Sequence, residues 1–330
     1  MHWLDWRHFR RLAVVSWVLL MGLGVSAVRA QGQGVSWPQR PIKLVVPYPP
    51  GGNADTIARY VGERLGQALG QPLVIENKAG AGAIIGAEAV VRAPADGYTL
   101  LLAPTAVLAI TPHLRKVAYD PMVDLLPIAK LSGTYSIVTA RKDAPFSSMK
   151  ELVAWAQREP GKLTFGSAGL ATATHIAGEM IHYQANIQAL HIPYKGSAES
   201  LNDLIAGRID LIYDPVGLSQ VKAGTVKALA VLSKVRHPEL AAVPTVAEQG
   251  YPVDTRSWFG LFAPKGTPAP IIQRLSTEIQ RFMTAPEVRQ SLLKVGQYPD
   301  FVGPEAFARQ IRDDSQAFKD LIVKAHIHVD

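Results

Sequence analysis

The stretch IKLVVPYPPGGNADTIARYVGERLGQALG, residues 42–70, combines a short apolar run, a turn rich in proline and glycine, and an amphipathic repeat. The apolar run over residues 42–46 predicts a strand that is buried on both faces. Apolar residues then recur every four positions over residues 57–69, and Gly70 follows, which predicts a helix that ends there. A strand that leads through a tight turn into a helix is typical of an α/β protein.

The turn between this predicted strand and helix has features of an anion-binding site. The first N–H groups of a helix have no partner within the helix, and the helix dipole is positive at that end. Gly51 and Gly52 let the backbone approach a ligand closely, and Pro49 and Pro50 hold the loop in shape. We interpret the turn as half of a carboxylate pocket; an ordinary tight turn is the alternative.

The first 30 residues have the pattern of a secretory signal peptide. Basic residues beginning at Arg7 precede an apolar run over residues 12–25, and Val28-Arg29-Ala30 supplies a cleavage site. The run is shorter than the roughly 20 residues that a membrane-spanning helix needs. We predict that residues 1–30 are removed and that the protein is exported to the bacterial periplasm, with an uncleaved membrane anchor as the alternative.

Composition limits the classes of protein that the mature chain can belong to. Residues 1–30 contain four of the 34 Lys and Arg and one of the 27 Asp and Glu, so the mature net charge is +4. No basic run interleaved with aromatic residues is present, and we expect no nucleic-acid partner. The chain has no cysteine, so core burial must hold it together, and its length favours two lobes.

Strands and helices alternate along most of the remaining chain. LTFGSAGLATATHIAGEM, residues 163–180, repeats the strand, turn and helix of residues 42–70. Asp96-Gly97 leads into another predicted strand, after which Thr105 offers a hydroxyl group. The alternation predicts parallel, doubly wound sheets, in which ligands bind beyond the carboxyl ends of the strands.

The order of these elements predicts two lobes joined by a hinge. The alternation of strands and helices starts again within residues 131–143, which we predict as a single strand. We assign residues 31–133 and 249–330 to lobe 1 and residues 134–248 to lobe 2. Because lobe 2 is inserted into lobe 1, the chain must cross between them twice, which predicts a hinge and a cleft that holds a small ligand.

Ser167, His175 and Asp214 together suggest a second possibility, a serine hydrolase. Such a site needs a hydroxyl nucleophile, an imidazole base and an orienting carboxylate. The nucleophile elbow has glycine two residues before the serine, however, and Phe165 stands there. His175 also follows Ser167 by two helical turns, too far to share its proton. We therefore predict that the protein is not an enzyme and keep a secreted hydrolase that uses Ser167 as an alternative.

Nucleotide and metal sites find little support in the sequence. The glycines of residues 80–86 depart from the dinucleotide-binding pattern because Ile85 occupies a glycine position. His175 and His182 are not accompanied by a cysteine or an HExxH pair. We predict no cofactor and no metal.

Several motifs, taken together and in order along the mature chain, resemble the Bug family. The motifs are VPYPPGGNAD, IENKAGAGAIIGAE, DGYTLL, YDP, GSAGLATATHIAGE, HIPYKG, AGTVKALAVLS, VPTVAEQG and SWFGLFAPKGTP. Bug proteins are periplasmic substrate-binding receptors associated with tripartite tricarboxylate transporters. The resemblance implies a two-lobed, type II-like periplasmic binding protein that closes on a small carboxylate: an amino acid, a di- or tricarboxylate, or an aromatic acid.

The resemblance also implies partners. These are a small organic anion and the membrane permease subunits of a tripartite tricarboxylate-type transporter, and we expect the receptor itself to be a monomer. A sensory receptor that signals to a membrane protein is a further alternative.

In the Bug family, the first loop and the serine-rich turn of the second lobe hold the ligand carboxylate, partly through ordered waters. The matching positions in this chain are Tyr48, Pro49, Gly51, Gly52, Asp55, Thr105, Ser167, Gly169, Thr172, His175 and Asp214. The family usually has Phe where Tyr48 stands, and Gly-Ser where Ala171-Thr172 stands. Both departures bear on the identity of the ligand more than on the fold.

The roles of Asp214 and Trp258 stay open at this point. Asp214 follows a predicted strand, so its carboxylate either hydrogen bonds a ligand hydroxyl, a ligand amine or a water, or it caps its own turn. Trp258 lies in the SWFGLFAP segment and is either a core residue or part of the cleft wall.

Overall fold

The computed structural model describes residues 37–325 and Ile327 of the 330-residue chain. The predicted signal peptide, residues 1–30, lies outside the described residues. Within the described part of the chain, no helix is both long enough and apolar enough to cross a membrane.

Two β-sheets covered by helices form the described part of the chain. The strands are β1 (Ile42–Val46), β2 (Leu73–Asn77), β3 (Thr99–Pro104), β4 (Leu125–Thr134), β5 (Ser136–Arg141), β6 (Thr164–Ser167), β7 (Leu190–Pro193), β8 (Leu211–Tyr213), β9 (Val226–Leu232), β10 (Trp258–Pro264) and β11 (Gln297–Val302). The α-helices are α1 (Asn53–Leu69), α2 (Ile84–Val91), α3 (Thr111–Leu114), α4 (Met149–Arg158), α5 (Ala173–Ala185), α6 (Ser197–Ile205), α7 (Leu218–Lys222), α8 (Ala269–Met283), α9 (Pro286–Leu293) and α10 (Pro304–Lys324). Shorter 3₁₀ segments are Ala81–Ala83, Pro215–Gly217 and Pro238–Leu240, and Ala106–Ile110 is a π-helical segment.

The opening stretch folds as its pattern predicts. β1 has the predicted bounds, and α1 ends at Gly70, whose φ of 71° is left-handed. A residue without a side chain is favoured in that conformation, which explains why the helix stops there. The similar segment at residues 163–180 forms β6 and α5. The two strands β10 and β11 were not assigned from the sequence.

Both sheets are mixed. The first has the order β11-β4-β10-β3-β1-β2, and the second has the order β7-β6-β8-β5-β9. β1 is parallel to β2 and β3, and β6 is parallel to β7 and β8. The prediction of parallel sheets is wrong for β10, which runs antiparallel to β3 and β4, and for β5, which runs antiparallel to β8 and β9. These strands enter their sheets directly from the other sheet and not through a helical crossover, so parallel pairing is not imposed on them.

The chain passes between the two sheets twice. β4 ends at Thr134 in the first sheet and β5 begins at Ser136 in the second, so residues 131–143 form two strands and not the single predicted one. The return crossing leads from the end of β9 at Leu232 to the start of β10 at Trp258. The predicted α/β fold with two lobes is confirmed. The residue boundaries assigned to the lobes stay a prediction.

A cluster of buried apolar side chains joins the two lobes. Ile176 and Met180 on α5 of the second lobe belong to the same cluster as Ile110 and as Phe318 and Ile322 on α10. Helix α10 packs on β4 of the first sheet. The lobes are therefore in direct apolar contact, and burial of this surface contributes to holding them together.

Three histidines and a phenylalanine pack together in the core of the second lobe. The rings of His175 and His191 stack with centroids 3.9 Å apart, and both stack against Phe165. His182 forms a 2.7 Å hydrogen bond with the Tyr213 hydroxyl. Burial lowers the pKa of His182 to about 4 and that of His191 to about 3. His175 adds to both shifts, while Glu179 opposes them.

We predict that Phe318→Ala lowers the free energy of unfolding by about 3–5 kcal/mol, because it deletes a buried ring from the cluster between the lobes. Val323→Ala on the same helix is the control, since its side chain is 68% exposed. The control should change the free energy of unfolding by less than about 0.5 kcal/mol. Urea denaturation of the mature protein measures both, and equal small effects would contradict the role of the cluster.

We also predict that the protein loses stability as the pH falls from 7.5 to 5. An unfolded histidine has a pKa of about 6.5. Because folding lowers the pKa of His182 to about 4, the stability is fully present above the unfolded pKa and is lost as the pH falls toward the folded one. At pH 5 the loss from His182 is on the order of 2 kcal/mol. Melting temperatures of the wild type and His182→Gln across this range measure the effect. The variant should show a shallower decline; parallel profiles would contradict the assignment.

Candidate ligand-binding site

Three helices begin at one cavity between the two lobes. The cavity has a volume of about 160 Å³, and its walls include residues 52–54, 172–174 and 196–198. These residues are the starts of α1 in the first lobe and of α5 and α6 in the second. Unpaired N–H groups and the positive ends of three helix dipoles therefore meet at this cavity. An anion is the chemical species that this arrangement stabilises.

The structure brings together five of the eleven positions that the resemblance implied. Those that line the cavity are Tyr48, Pro49, Gly52, Thr172 and Asp214. The first three belong to the loop after β1, Thr172 caps α5, and Asp214 directly follows β8. The predicted half-pocket and its counterpart in the second lobe thus lie on opposite sides of the same space.

Gly51 and Asp55 shape the first loop without lining the cavity. The Gly51 N–H donates to Asp55 Oδ2 at 3.1 Å, and Asn77 Nδ2 donates to Asp55 Oδ1 at 3.0 Å. Arg59 also binds both oxygens of this carboxylate. Burial alone would raise the pKa of Asp55, but these hydrogen bonds outweigh burial and lower it. Asp55 therefore acts as an anion that fixes the loop, with Gly51 at a positive φ of 86°.

Thr105 also lies outside the cavity lining. Its hydroxyl donates to the carbonyl oxygen of Arg256 at 3.0 Å and accepts from the Trp258 N–H at 2.8 Å. These bonds tie the end of β3 to the return crossing. Trp258 is a core residue and not a cleft wall, because it is buried and its indole N–H donates to Asp314 Oδ2 at 2.8 Å.

Ser167, Gly169 and His175 support the second turn from within. Ser167 Oγ donates to the Gly169 carbonyl at 3.0 Å and lies 2.7 Å from His191 Nε2. His175 Nδ1 accepts from the Ala171 N–H at 3.3 Å. The three predicted ligand contacts thus hold the backbone of the turn beneath the cavity.

The partner of Ser167 bears on the hydrolase alternative. His191, which the sequence analysis did not consider, provides an imidazole beside the hydroxyl. Ser167 is only 1% exposed and does not line the cavity. A nucleophile needs access to its substrate, so this geometry favours a structural role for the pair.

The second turn has an unusual backbone and contacts the first lobe. Ala171 adopts a φ of 60°, which is uncommon for a residue with a side chain. Thr172 Oγ1 donates to the Gly169 carbonyl at 2.7 Å and accepts from the His175 N–H. Thr111 Oγ1 of the first lobe donates to the Ala171 carbonyl at 3.2 Å. A hydrogen bond across the cleft therefore helps to hold the turn.

Several residues of the cavity escaped the sequence analysis. Thr134, Ser136 and Ser257 at the two crossings line the cavity, as does Phe259 in β10. Their position depends on where the chain crosses, which no local motif indicates. Ser197, the first residue of α6, was missed as well. Gly196 before it and Glu199 within its first turn were the available signals.

The electrostatics of the cavity are set by helix starts and by acids. None of the described residues that line it is Lys or Arg, whereas Asp214 and Glu199 line it. Asp214 Oδ1 accepts from the Val216 N–H at 2.8 Å and Oδ2 accepts from Ser197 Oγ, so this residue does cap its own turn. Burial raises the pKa of Asp214. Among the described residues, no group of three or more His, Asp or Glu side chains is arranged to bind a metal.

The chain is similar to proteins of one family. The model of the tripartite tricarboxylate transporter family receptor matches residues 57–327. A protein encoded in the tcbD-tcbE intergenic region of Pseudomonas sp. strain P51 is 37% identical over 314 residues, which are 94% of this chain and 93% of that protein.

Two solved structures share both the fold and a substantial part of the sequence. The R. palustris protein Rpa4515 with adipate has a TM-score of 0.86 and 32% identity, covering 88% of this chain and 99% of that one. The periplasmic binding protein BugD has a TM-score of 0.84 and 33% identity over the same shares. The chain therefore belongs to the family of tripartite tricarboxylate transporter receptors, the periplasmic solute-binding proteins that include BugD.

Proposed function

We propose that the protein captures a small organic carboxylate between its lobes in the periplasm. As a monomer, it would then deliver this ligand to the membrane permease subunits of a tripartite tricarboxylate-type transporter. The observation that carries the proposal is the convergence of three helix starts on one cavity, to whose lining the described part of the chain contributes no Lys or Arg.

Backbone groups supply the attraction for the carboxylate. Each helix dipole contributes about 0.3–1 kcal/mol at an exposed site and up to about 2 kcal/mol in a partly buried one. Hydrogen bonds to a charged acceptor each contribute about 1.5–3 kcal/mol. Three helix starts are thus sufficient for micromolar affinity, which corresponds to roughly −8 kcal/mol.

The size and lining of the cavity favour a small ligand body. Its volume of about 160 Å³ is close to that of an apolar cavity of about 150 Å³ that holds benzene. Pro104, Ala177 and Phe259 provide apolar wall. A single ring or a short carbon chain attached to the carboxylate fits these limits. Adipate, named with the R. palustris relative, is a short-chain acid of this size and supports the class of ligand.

Capture would be coupled to closure of the lobes. Part of the cavity wall comes from the loop after β1 in the first lobe, and part comes from the starts of α5 and α6 in the second. A ligand that binds both sides stabilises the closed arrangement by the free energy of those added contacts. The two lobes also pack closely beside the cavity. A Cβ atom added at Gly82 of the first lobe would lie only 2.6 Å from the Leu170 carbonyl oxygen of the second lobe.

A sensory receptor would use the same cavity but present the closed lobes to a signalling protein. Crosslinking of the mature receptor in membranes, followed by identification of the captured protein, separates the two outcomes. Recovery of permease subunits in a ligand-dependent manner supports transport, and recovery of a signalling protein alone would contradict it.

We predict that Thr172→Ala weakens carboxylate binding at least tenfold, because it removes the cap that orients the start of α5 at the cavity. Loss of such a cap also costs about 1 kcal/mol of stability. Ser148→Ala is the matched control, since Ser148 caps α4 and lies away from the cavity lining.

The experiment begins with a thermal-shift screen of mono-, di- and tricarboxylates on the mature protein, because a ligand of the folded state raises its melting temperature. Calorimetry with the strongest hit then compares the wild type with the two variants. Both variants should lose similar stability, but only Thr172→Ala should lose affinity. Unchanged affinity in Thr172→Ala would remove the start of α5 from the proposed site.

A further inference from the structure

We propose that Tyr48 and Asp214 together select carboxylates that carry a hydroxyl group. The inference rests on the proposed function and narrows its class of ligand. The two residues line the same cavity from opposite lobes, and both are buried.

Tyr48 presents a donor that the protein leaves unused. Its side chain is only 9% exposed and lines the cavity. Among the described residues, no hydrogen-bond partner is found for its hydroxyl, although neighbouring Tyr119 donates to the Val107 carbonyl at 2.9 Å. A hydroxyl in such a site is costly unless a ligand or a water pairs with it.

The hydroxyl of Tyr48 remains protonated across the physiological range. Burial raises its pKa, and the nearby charges of Asp214 and then Tyr119 add to the effect. Both side chains line the same cavity of about 160 Å³, Tyr48 from the first lobe and Asp214 from the second. Tyr48 therefore serves as a neutral donor and not as an anion.

Asp214 presents an acceptor on the other side. Each of its oxygens accepts one hydrogen bond, from the Val216 N–H and from Ser197 Oγ. A carboxylate oxygen has two lone pairs, so further acceptor capacity is left. No Lys, Arg or His forms an ion pair with Asp214 among the described residues. The start of α6, which carries Ser197, compensates part of its charge through the helix dipole.

A ligand hydroxyl satisfies both groups at once, since it accepts from Tyr48 and donates to Asp214. A second carboxylate would face Asp214 and Glu199 in a cavity to which the residues that the structure describes contribute no Lys or Arg side chain. Two anions in such a setting repel each other. An ammonium group would pair with Asp214, but it would face three positive helix starts and has no lone pair to accept the Tyr48 proton.

The test uses pairs of acids that differ by one hydroxyl group: lactate and propionate, 3-hydroxybutyrate and butyrate, and 4-hydroxybenzoate and benzoate. Calorimetry measures each dissociation constant with the wild type. We expect the protein to bind the hydroxylated acid at least tenfold more tightly in at least one pair. The acid without the hydroxyl group leaves Tyr48 and Asp214 without a ligand partner. In Tyr48→Phe that preference should fall at least fivefold.

Tyr60→Phe is the matched control. It also removes a phenolic hydroxyl. This hydroxyl is buried on α1, has no hydrogen-bond partner among the described residues and does not belong to the cavity lining. The control should keep the preference of the wild type. If Tyr48→Phe and Tyr60→Phe both keep it, the assignment of Tyr48 is overturned.

Other outcomes separate this inference from the function on which it rests. Equal affinity for both members of every pair overturns the inference and leaves carboxylate capture intact. If alanine, 4-aminobutyrate, succinate or adipate binds more tightly than every hydroxylated acid, the inference is also overturned and carboxylate capture is again left intact. If none of these acids binds, and none is found among the mono-, di- and tricarboxylates of the screen, both the inference and the proposed function are overturned.

Discussion

The first backbone N–H groups of α1, α5 and α6 have no carbonyl partner within their helices, and all three helix starts face one gap between the lobes. Their dipoles concentrate positive potential there, and no Lys or Arg lines the gap within residues 37–325. Residues that follow β1, β6 and β8 line the same gap, and the chain crosses between the two sheets twice. The fold thus produces an anion site from the directions of its helices.

Many of the polar side chains near this gap hold backbone in place. Asp55 fixes the first loop, Thr105 ties a strand end to the return crossing, and Ser167 and His175 support the second turn. Such supports let small groups approach a ligand with little reorganisation, which favours affinity.

The sequence was informative where structure is determined locally. The apolar run of β1, the stop at Gly70 and the repeated design around Thr172 predicted elements that the structure contains. Pairing between strands that are distant in sequence was harder to predict. β10 and β11 join the first sheet from far along the chain, and their antiparallel direction depends on the crossings. Thr134, Ser136 and Ser257 reach the cavity for the same reason, so no short pattern could identify them.

A ligand-bound crystal structure tests the central claim most directly. The mature protein would be crystallised with the acid that raises its melting temperature most. The account predicts that the carboxylate oxygens accept hydrogen bonds from backbone N–H groups in the first turns of helices from both lobes. A carboxylate bound outside this gap, or one held by Lys or Arg side chains instead of helix starts, would contradict it.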